Sequence, residues 1–307
     1  MTISLSVPQN KPKLPLKLTV NVGEMLLILG ANGTGKSSLM HAFASAKQSK
    51  SRRIAAYRQM WFNSGSPEMT GKARAQAEQR FAMSDRMETA RWKDQQGGQR
   101  TKVAIYDLID SENMRAHKIA KAFDQDNSAP VEVLCATESV FKVLNRMLRL
   151  ANINITVSIA NNDEIVATRN GSEPYSIAKL SDGERNAILI AANVLTVPPG
   201  THLLIDEPER HLHRSIISPL LSLLFKERPD CAFVVSTHEP LLPVDNPQSK
   251  VLLTRGCVFE GDKVISYDID LLECTDAIDD DLKRTILGER RKIVFVEGVE
   301  HSLDKPL

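Results

Sequence analysis

Aromatic residues are scarce in this chain. They make up 5% of its 307 residues, and the first 29 residues contain none. No run of 18 apolar residues occurs, so a transmembrane helix is not expected and no membrane partner is called for. The opening MTISLSVPQNKPKL has no apolar core followed by a small-residue cleavage site, so a cytoplasmic protein is expected rather than a secreted one. Cys135, Cys231, Cys257 and Cys274 form no CxxC pair, which speaks for reduced thiols rather than a disulfide framework. Repeats and low-complexity tracts are missing too. Net charge is only +1, so the overall balance names no partner. What remains is an ordinary globular composition, 42% hydrophobic and 25% charged, long enough for one large domain or two modest ones.

The charge is unevenly placed. Residues 47–102 hold 13 Lys and Arg against 5 Asp and Glu, while residues 260–281 hold 9 Asp and Glu against one Lys. Such stretches either cancel on a solvated surface or offer a basic arm to nucleic acid or an acidic partner.

Periodicity divides the chain into α/β segments around a helical insert. Leu16–Val20 and Met25–Leu29 read as strands, Gly30–Lys36 as a glycine-rich loop, Ser37–Ala46 as a helix and Arg53–Tyr57 as a strand. Residues 62–150, rich in Ala, Gln, Glu, Arg and Met, suggest helices near 72–93, 99–123 and 137–151. Ile153–Ile159 with Glu164–Arg169, and Cys257–Glu260 with Lys263–Tyr267, read as hairpins. Between them come a helix from Asp182, strands at His202–Ile205, Ala232–Val235 and Val251–Thr254, and a helix after His213. Ala277–Gly288 reads as a helix and Ile293–Val296 as a last strand.

Four motifs carry chemistry. Gly30-Ala-Asn-Gly-Thr-Gly-Lys-Ser37 fits GxxxxGK[ST] between an apolar strand and a helix. Its glycines let backbone N–H groups turn around phosphates at a helix N-terminus, so Gly30, Asn32, Gly33, Thr34, Gly35, Lys36, Ser37 and Ser38 are the phosphate-site candidates. Lys36 has the reach for β- and γ-phosphates, and the Ser37 hydroxyl suits Mg²⁺. His202–Ile205 delivers Asp206 and Glu207 at a strand end, where Asp206 suits a Mg²⁺-organising role and Glu207 a water-activating one. By itself such a strand end is equally compatible with a solvated turn. In Leu180-Ser-Asp-Gly-Glu184, Ser181 can cap the following helix, and Gly183 lets a phosphate approach the backbone. Ser236-Thr-His238 follows an apolar strand directly.

In that order these motifs resemble the ABC ATPases: a P-loop, an LSxGE signature, an apolar strand ending in Asp-Glu, and a switch histidine. The resemblance covers residues 16–260 with the insert unmatched. It implies an α/β, ABC-type P-loop ATPase core, a mixed sheet flanked by helices with an inserted helical subdomain at about 62–150. It implies ATP and Mg²⁺ as ligands, Ser181 and Gly183 reaching the γ-phosphate held by a second subunit, and an ATP-dependent dimer or larger homo-oligomer. His238, as the switch histidine, would touch the γ-phosphate of its own subunit's site. A glutamine contacting Mg²⁺ and water is also implied. Gln59, just before the insert, is the candidate, with Gln95, Gln96 and Gln99 as rivals.

The Glu207-Pro-Glu-Arg-His-Leu-His213 stretch is similar to the SMC-related and OLD-type class rather than to transporters, whose upstream adenine-stacking aromatic is missing here. His211 and His213 leave open a metal or a subunit contact. Arg291–Gly298 resembles the opening of a Toprim domain, with Glu297 in the metal-holding position, although a plain edge strand fits as well. The expected division is therefore residues 1–290 as ATPase and 291–307 as the start of a Toprim-like domain, truncated before its Asp-x-Asp strand. Together with Arg58–Ser64, this resembles the ATPase of PARIS-type anti-phage systems and ATPase–Toprim fusions. That likeness implies a defence scaffold or sensor, triggered by nucleic acid or a phage protein and controlling a Toprim nuclease in cis or in trans. A transporter-type or DNA-repair, SMC-like ABC ATPase is the alternative.

Overall fold

A computed structural model describes residues 2–273 apart from 11–12, 47–49, 56–64, 67–68, 92–95, 126–131, 134, 161–162 and 262. Gln59, the Arg58–Ser64 stretch, the Ala277–Gly288 helix and the Toprim-like stretch at 291–307 lie outside the described residues.

The centre is a six-stranded mixed sheet. Its strands are β3 (Met25–Leu29), β4 (Ser51–Ala55), β8 (His202–Asp206), β9 (Ala232–Thr237), β10 (Lys250–Glu260) and β11 (Lys263–Leu272), in the order β11-β10-β3-β9-β8-β4. All neighbours run parallel except β11, which turns back on β10. Two smaller antiparallel sheets accompany it. One pairs β1 (Thr2–Val7) with β2 (Leu16–Asn21), and the other joins β5 (Thr156–Ile159), β6 (Ile165–Thr168) and β7 (Tyr175–Ser176).

The central strands are apolar because both of their faces are covered. Along β3, Leu26 and Ile28 join a core with Leu39, Met40 and Phe43 of α1 (Lys36–Ser45), while Leu27 and Leu29 face a larger core on the other side. That second core is built by α3 (Gly97–Asp124), α4 (Val140–Leu150), α5 (Asp182–Thr196) and α6 (Arg214–Glu227). In α4, Phe141, Leu144, Met147 and Leu148 fall on one face at three- and four-residue spacing, and Ser139 caps the start by accepting from Lys142 N. Each such buried side chain contributes about 1.5–3 kcal/mol. The mixed α/β fold agrees with the expectation from the motifs.

Several boundaries differ from the sequence reading. The helix expected at 72–93 stops at Ser84, giving α2 (Gly71–Ser84) and a separate 3-10 turn at Glu88–Arg91. The intervening Asp85 is held by Arg100 of α3, 2.6 Å away. The Arg53–Tyr57 strand starts two residues earlier. Val251–Thr254 and Cys257–Glu260 are one strand, because pairing with β11 continues past Arg255 through a register shift. β1 was not anticipated.

Four arginines of the basic stretch are paired inside the protein. Arg52 and Arg74 both bind Asp107, Arg53 binds Asp206, and Arg100 binds Asp85 while lying 4.5 Å over the Phe81 ring. Among the described residues no helix is long and apolar enough to cross a membrane.

Candidate functional site

Parallel strands bring their carboxyl ends to one edge of the sheet, and the loops beyond that edge form the site. β3 runs into the Gly30–Lys36 loop, β8 ends at Asp206 and β9 ends at Thr237. Because β9 lies between β3 and β8, Ser236 and Thr237 stand between the glycine-rich loop and the carboxylates.

The loop has little room to be anything but glycine. Gly33 and Gly35 adopt φ of +83° and +93°, a left-handed region that other residues enter at a cost. A Cβ on Gly30 would come within 2.1 Å of Thr254 Oγ1. The Thr254 and Thr34 hydroxyls lie 2.9 Å apart, each also within 2.9 Å of a backbone carbonyl, Leu29 O and Ala31 O respectively, so β10 supports the loop from behind. Lys36 opens α1 and is 3% exposed. Its Nζ donates to Gly30 O at 2.7 Å and Ala31 O at 3.0 Å and lies 3.9 Å from Glu207 Oε1. Burial lowers the Lys36 pKa, opposed by the neighbouring Glu207, Glu209 and Asp206. Gly33, Gly35, Lys36, Ser37, Ser38, Glu207, Arg91 and Phe259 line a cavity of about 250 Å³. Gly30 and Thr34 lie behind the loop, and Asn32 is exposed on its crest.

The carboxylates are held by side chains from distant elements. Asp206 Oδ2 accepts from Arg53 at 3.1 Å, and Oδ1 accepts from Ser236 Oγ. Glu207 sits at φ +44°, a non-glycine residue in the left-handed region, fixed by N–H donation to Ser236 O. The Arg210 guanidinium binds its carboxylate. This donor set fits Mg²⁺, which takes few protein ligands alongside phosphate and water. Ser37 lines the cavity, and each Asp206 oxygen keeps a second lone pair beyond the donor it already accepts from.

His238 is placed by Glu209, a residue to which the sequence reading gave no role. Glu209 Oε1 accepts from both His238 N and His238 Nδ1 at 2.8 Å. That hydrogen bond raises the imidazole pKa above its ordinary value, against the opposing effect of burial. The imidazolium therefore persists at the ordinary imidazole pKa and is lost as pH climbs through the raised one. Glu209→Gln is expected to move the alkaline limb of phosphate release to lower pH and leave the acidic limb in place. A pH–rate profile reads this, and an unmoved alkaline limb would show that the charge on His238 is not used.

Ser181 and Gly183 do not line this cavity; they lie at the start of α5. There Ser181 accepts from Glu184 N and Glu184 accepts from Ser181 N, a reciprocal cap on an exposed helix end. His213 caps α6 by accepting from Ser215 N. Among the described residues no cluster of three His, Cys, Asp or Glu is placed to hold a metal by itself. Arg91, Arg53 and Glu209 are the residues sequence reasoning missed. Arg91 and Arg53 gave no motif signal, while Glu209 stood inside the quoted EPExxLH stretch.

Residues 91–245 match the family model described as "AAA domain, putative AbiEii toxin, Type IV TA system". No curated protein matches the chain. Among solved structures, the chain is similar to an inward-facing putative metal-chelate type ABC transporter, at 15% identity and a TM-score of 0.46, over 94% of this chain and 88% of that one. It is similar to a Pyrococcus furiosus Smc head domain with an extended coiled coil at 13% identity and a TM-score of 0.44, over 89% and 97%. It is also similar to a dimeric ATP-binding cassette bound to ADP and Pi at 13% and 0.37, over 87% and 98%.

Proposed function

The chain belongs to the P-loop ATPase family described as AAA domain, putative AbiEii toxin, Type IV TA system, and from that premise we propose that it binds ATP with Mg²⁺, hydrolyses it, and works as a head-to-tail dimer or larger oligomer. The observation that carries the reading is a cavity lined by Gly33, Gly35, Lys36, Ser37 and Ser38 together with Glu207, beside Asp206 and the Glu209-anchored His238.

Each side chain has a role that its surroundings support. Lys36 exchanges its two loop carbonyls for phosphate oxygens, and the N-terminus of α1 adds partial positive charge. Mg²⁺, held by Ser37 and Asp206, supplies charge neutralisation on the phosphates. Glu207, released from Arg210, takes a proton from water as the water oxygen bonds to the γ-phosphorus. The bond to the bridging oxygen then breaks, leaving ADP and phosphate. His238, and Gln59 by resemblance, complete the γ-phosphate surroundings. Ser181, exposed at the start of α5, and the half-buried Gly183 meet the γ-phosphate of the second subunit.

The sandwich is tested by light scattering on Glu207→Gln, which is expected to double in mass with ATP. Ser181→Arg added to it places a bulky cation at the shared phosphate and is expected to abolish the association. If the double variant associates equally well, the sandwich is wrong.

The setting we propose is bacterial defence, with the ATPase sensing a phage protein or nucleic acid and controlling a Toprim-type nuclease. The toxin and TA wording of the family description and the Arg291–Gly298 stretch support it. Cells carrying the gene are expected to resist phage, and the Glu207→Gln variant to change that resistance. Equal plating on both variants and on cells without the gene would remove the defence role.

A further inference from the structure

Residues 1–29 offer no aromatic side chain to a nucleotide base, yet one aromatic residue lines the phosphate-loop cavity. It is Phe259, near the end of β10, and it is 52% exposed. Phe259 lines that cavity together with Gly33, Gly35 and Lys36.

The hairpin that carries Phe259 is fixed against the loop. A Cβ on Gly35 would meet Tyr267 Cε1 at 2.9 Å and Cys257 Sγ at 3.0 Å, so β10 and β11 approach closer than any residue but glycine allows. Tyr267 is buried, hydrogen-bonded with Ser38 of α1, and its phenol is pushed up to about 12 by that burial. Cys257 Sγ lies 3.7 Å from Gly33 O. Phe259 therefore lines the cavity from a buttressed hairpin. Lys36 and Ser37 mark its phosphate end, and Arg91, from the 3-10 turn of the insert, supplies a further cation at the same cavity.

We propose that Phe259 is the base platform of this nucleotide site, stacking on the purine ring of ATP, so that the C-terminal hairpin rather than the N-terminal strands recognises the base. The proposal rests on the ATP reading above and adds to it where the base lies. A π face gives affinity for any purine without telling adenine from guanine, so ATP and GTP gain similarly and inorganic tripolyphosphate gains nothing.

The experiment is calorimetric titration of ATP, GTP and tripolyphosphate into the parent, Phe259→Ala and Phe259→Trp, all carrying Ser181→Arg so that one subunit is read alone. Phe259→Ala is expected to weaken ATP and GTP by about five- to thirty-fold and leave tripolyphosphate unchanged. Phe259→Trp is expected to keep ATP affinity and gain a tryptophan signal quenched by ATP and not by tripolyphosphate. If Phe259→Ala binds ATP as the parent does, while both prefer ATP to tripolyphosphate, the base stacks elsewhere and the inference fails with the ATP reading intact. If the parent binds neither ATP nor tripolyphosphate, the ATP reading itself falls.

Discussion

Glu207→Gln is expected to bind ATP with near-parental affinity and to release phosphate about 100-fold more slowly or worse, while Lys36→Ala loses ATP binding itself. The two residues lie 3.9 Å apart, but they meet different parts of the reaction. Lys36 is buried and cationic in a loop whose glycines turn backbone N–H groups toward the cavity, so it neutralises phosphate charge in both ground and transition states. Removing it costs binding. Glu207 is anionic, and its contribution arises only when a water proton must leave; a positioned general base is worth on the order of 100- to 10,000-fold. Glutamine keeps the shape, and it keeps the backbone donation to Ser236 that fixes the left-handed conformation at φ +44°. Loss of turnover therefore cannot be ascribed to a refolded turn. Equilibrium nucleotide binding and single-turnover phosphate release separate the two variants. Normal turnover by Glu207→Gln would remove Glu207 from the chemistry.

The parts of this site that were legible in the sequence are those that backbone geometry imposes locally. A glycine-rich turn between an apolar strand and a helix, and carboxylates at a strand end, need fixed residue types at fixed spacing, so Lys36, Ser37, Asp206 and Glu207 could be named from the chain alone. Ser181 was recognisable as a cap because its partner Glu184 is three residues away. The parts that stayed hidden depend on residues far apart in sequence. Arg53 meets Asp206 across 153 positions, and no local pattern announces it. The break after Ser84 arises for the same reason, since Asp85 is held from α3 and not by its own helix. β10 reads as two strands because Arg255 and Gly256 interrupt the apolar pattern, yet pairing with β11 carries the strand through. Phe259 sits in the second of those two pieces, inside the hairpin that the sequence does announce. β1 alternates Ile3, Leu5 and Val7 in the manner of a half-buried strand, and this local signal was readable but passed over.

Asp107→Ala is expected to lower the melting temperature by on the order of 10 °C. Asp107 lies on the buried half of α3 with its carboxylate almost wholly enclosed, and two arginines from different elements converge on it. Arg52 of β4 donates to Oδ2 from both terminal nitrogens at 3.1 Å, and Arg74 of α2 donates from Nε to Oδ1 at 2.7 Å. The hydrogen bond to Asp107 is the main reason the Arg74 pKa is raised. Removing one partner of a buried ion pair leaves uncompensated charge and costs about 3–5 kcal/mol. Both arginines retain a contact with the half-exposed Glu78, which places this case at the lower end. At roughly 2–4 °C per kcal/mol for a domain of this size, the shift is easily read in a thermal melt. The cost is one of unpaired charge and not of lost volume, so replacing all three residues together by Arg52→Met, Arg74→Leu and Asp107→Leu is expected to recover most of it. The same change reaches the site. Arg52 precedes Arg53 on the strand that pairs with β8, so loosening β4 weakens the hold on Asp206, and Mg²⁺-dependent ATP affinity should fall with stability in Asp107→Ala. A single variant whose melt matches the parent's would mean that the two arginines find other partners and that the insert is not anchored to the sheet through Asp107.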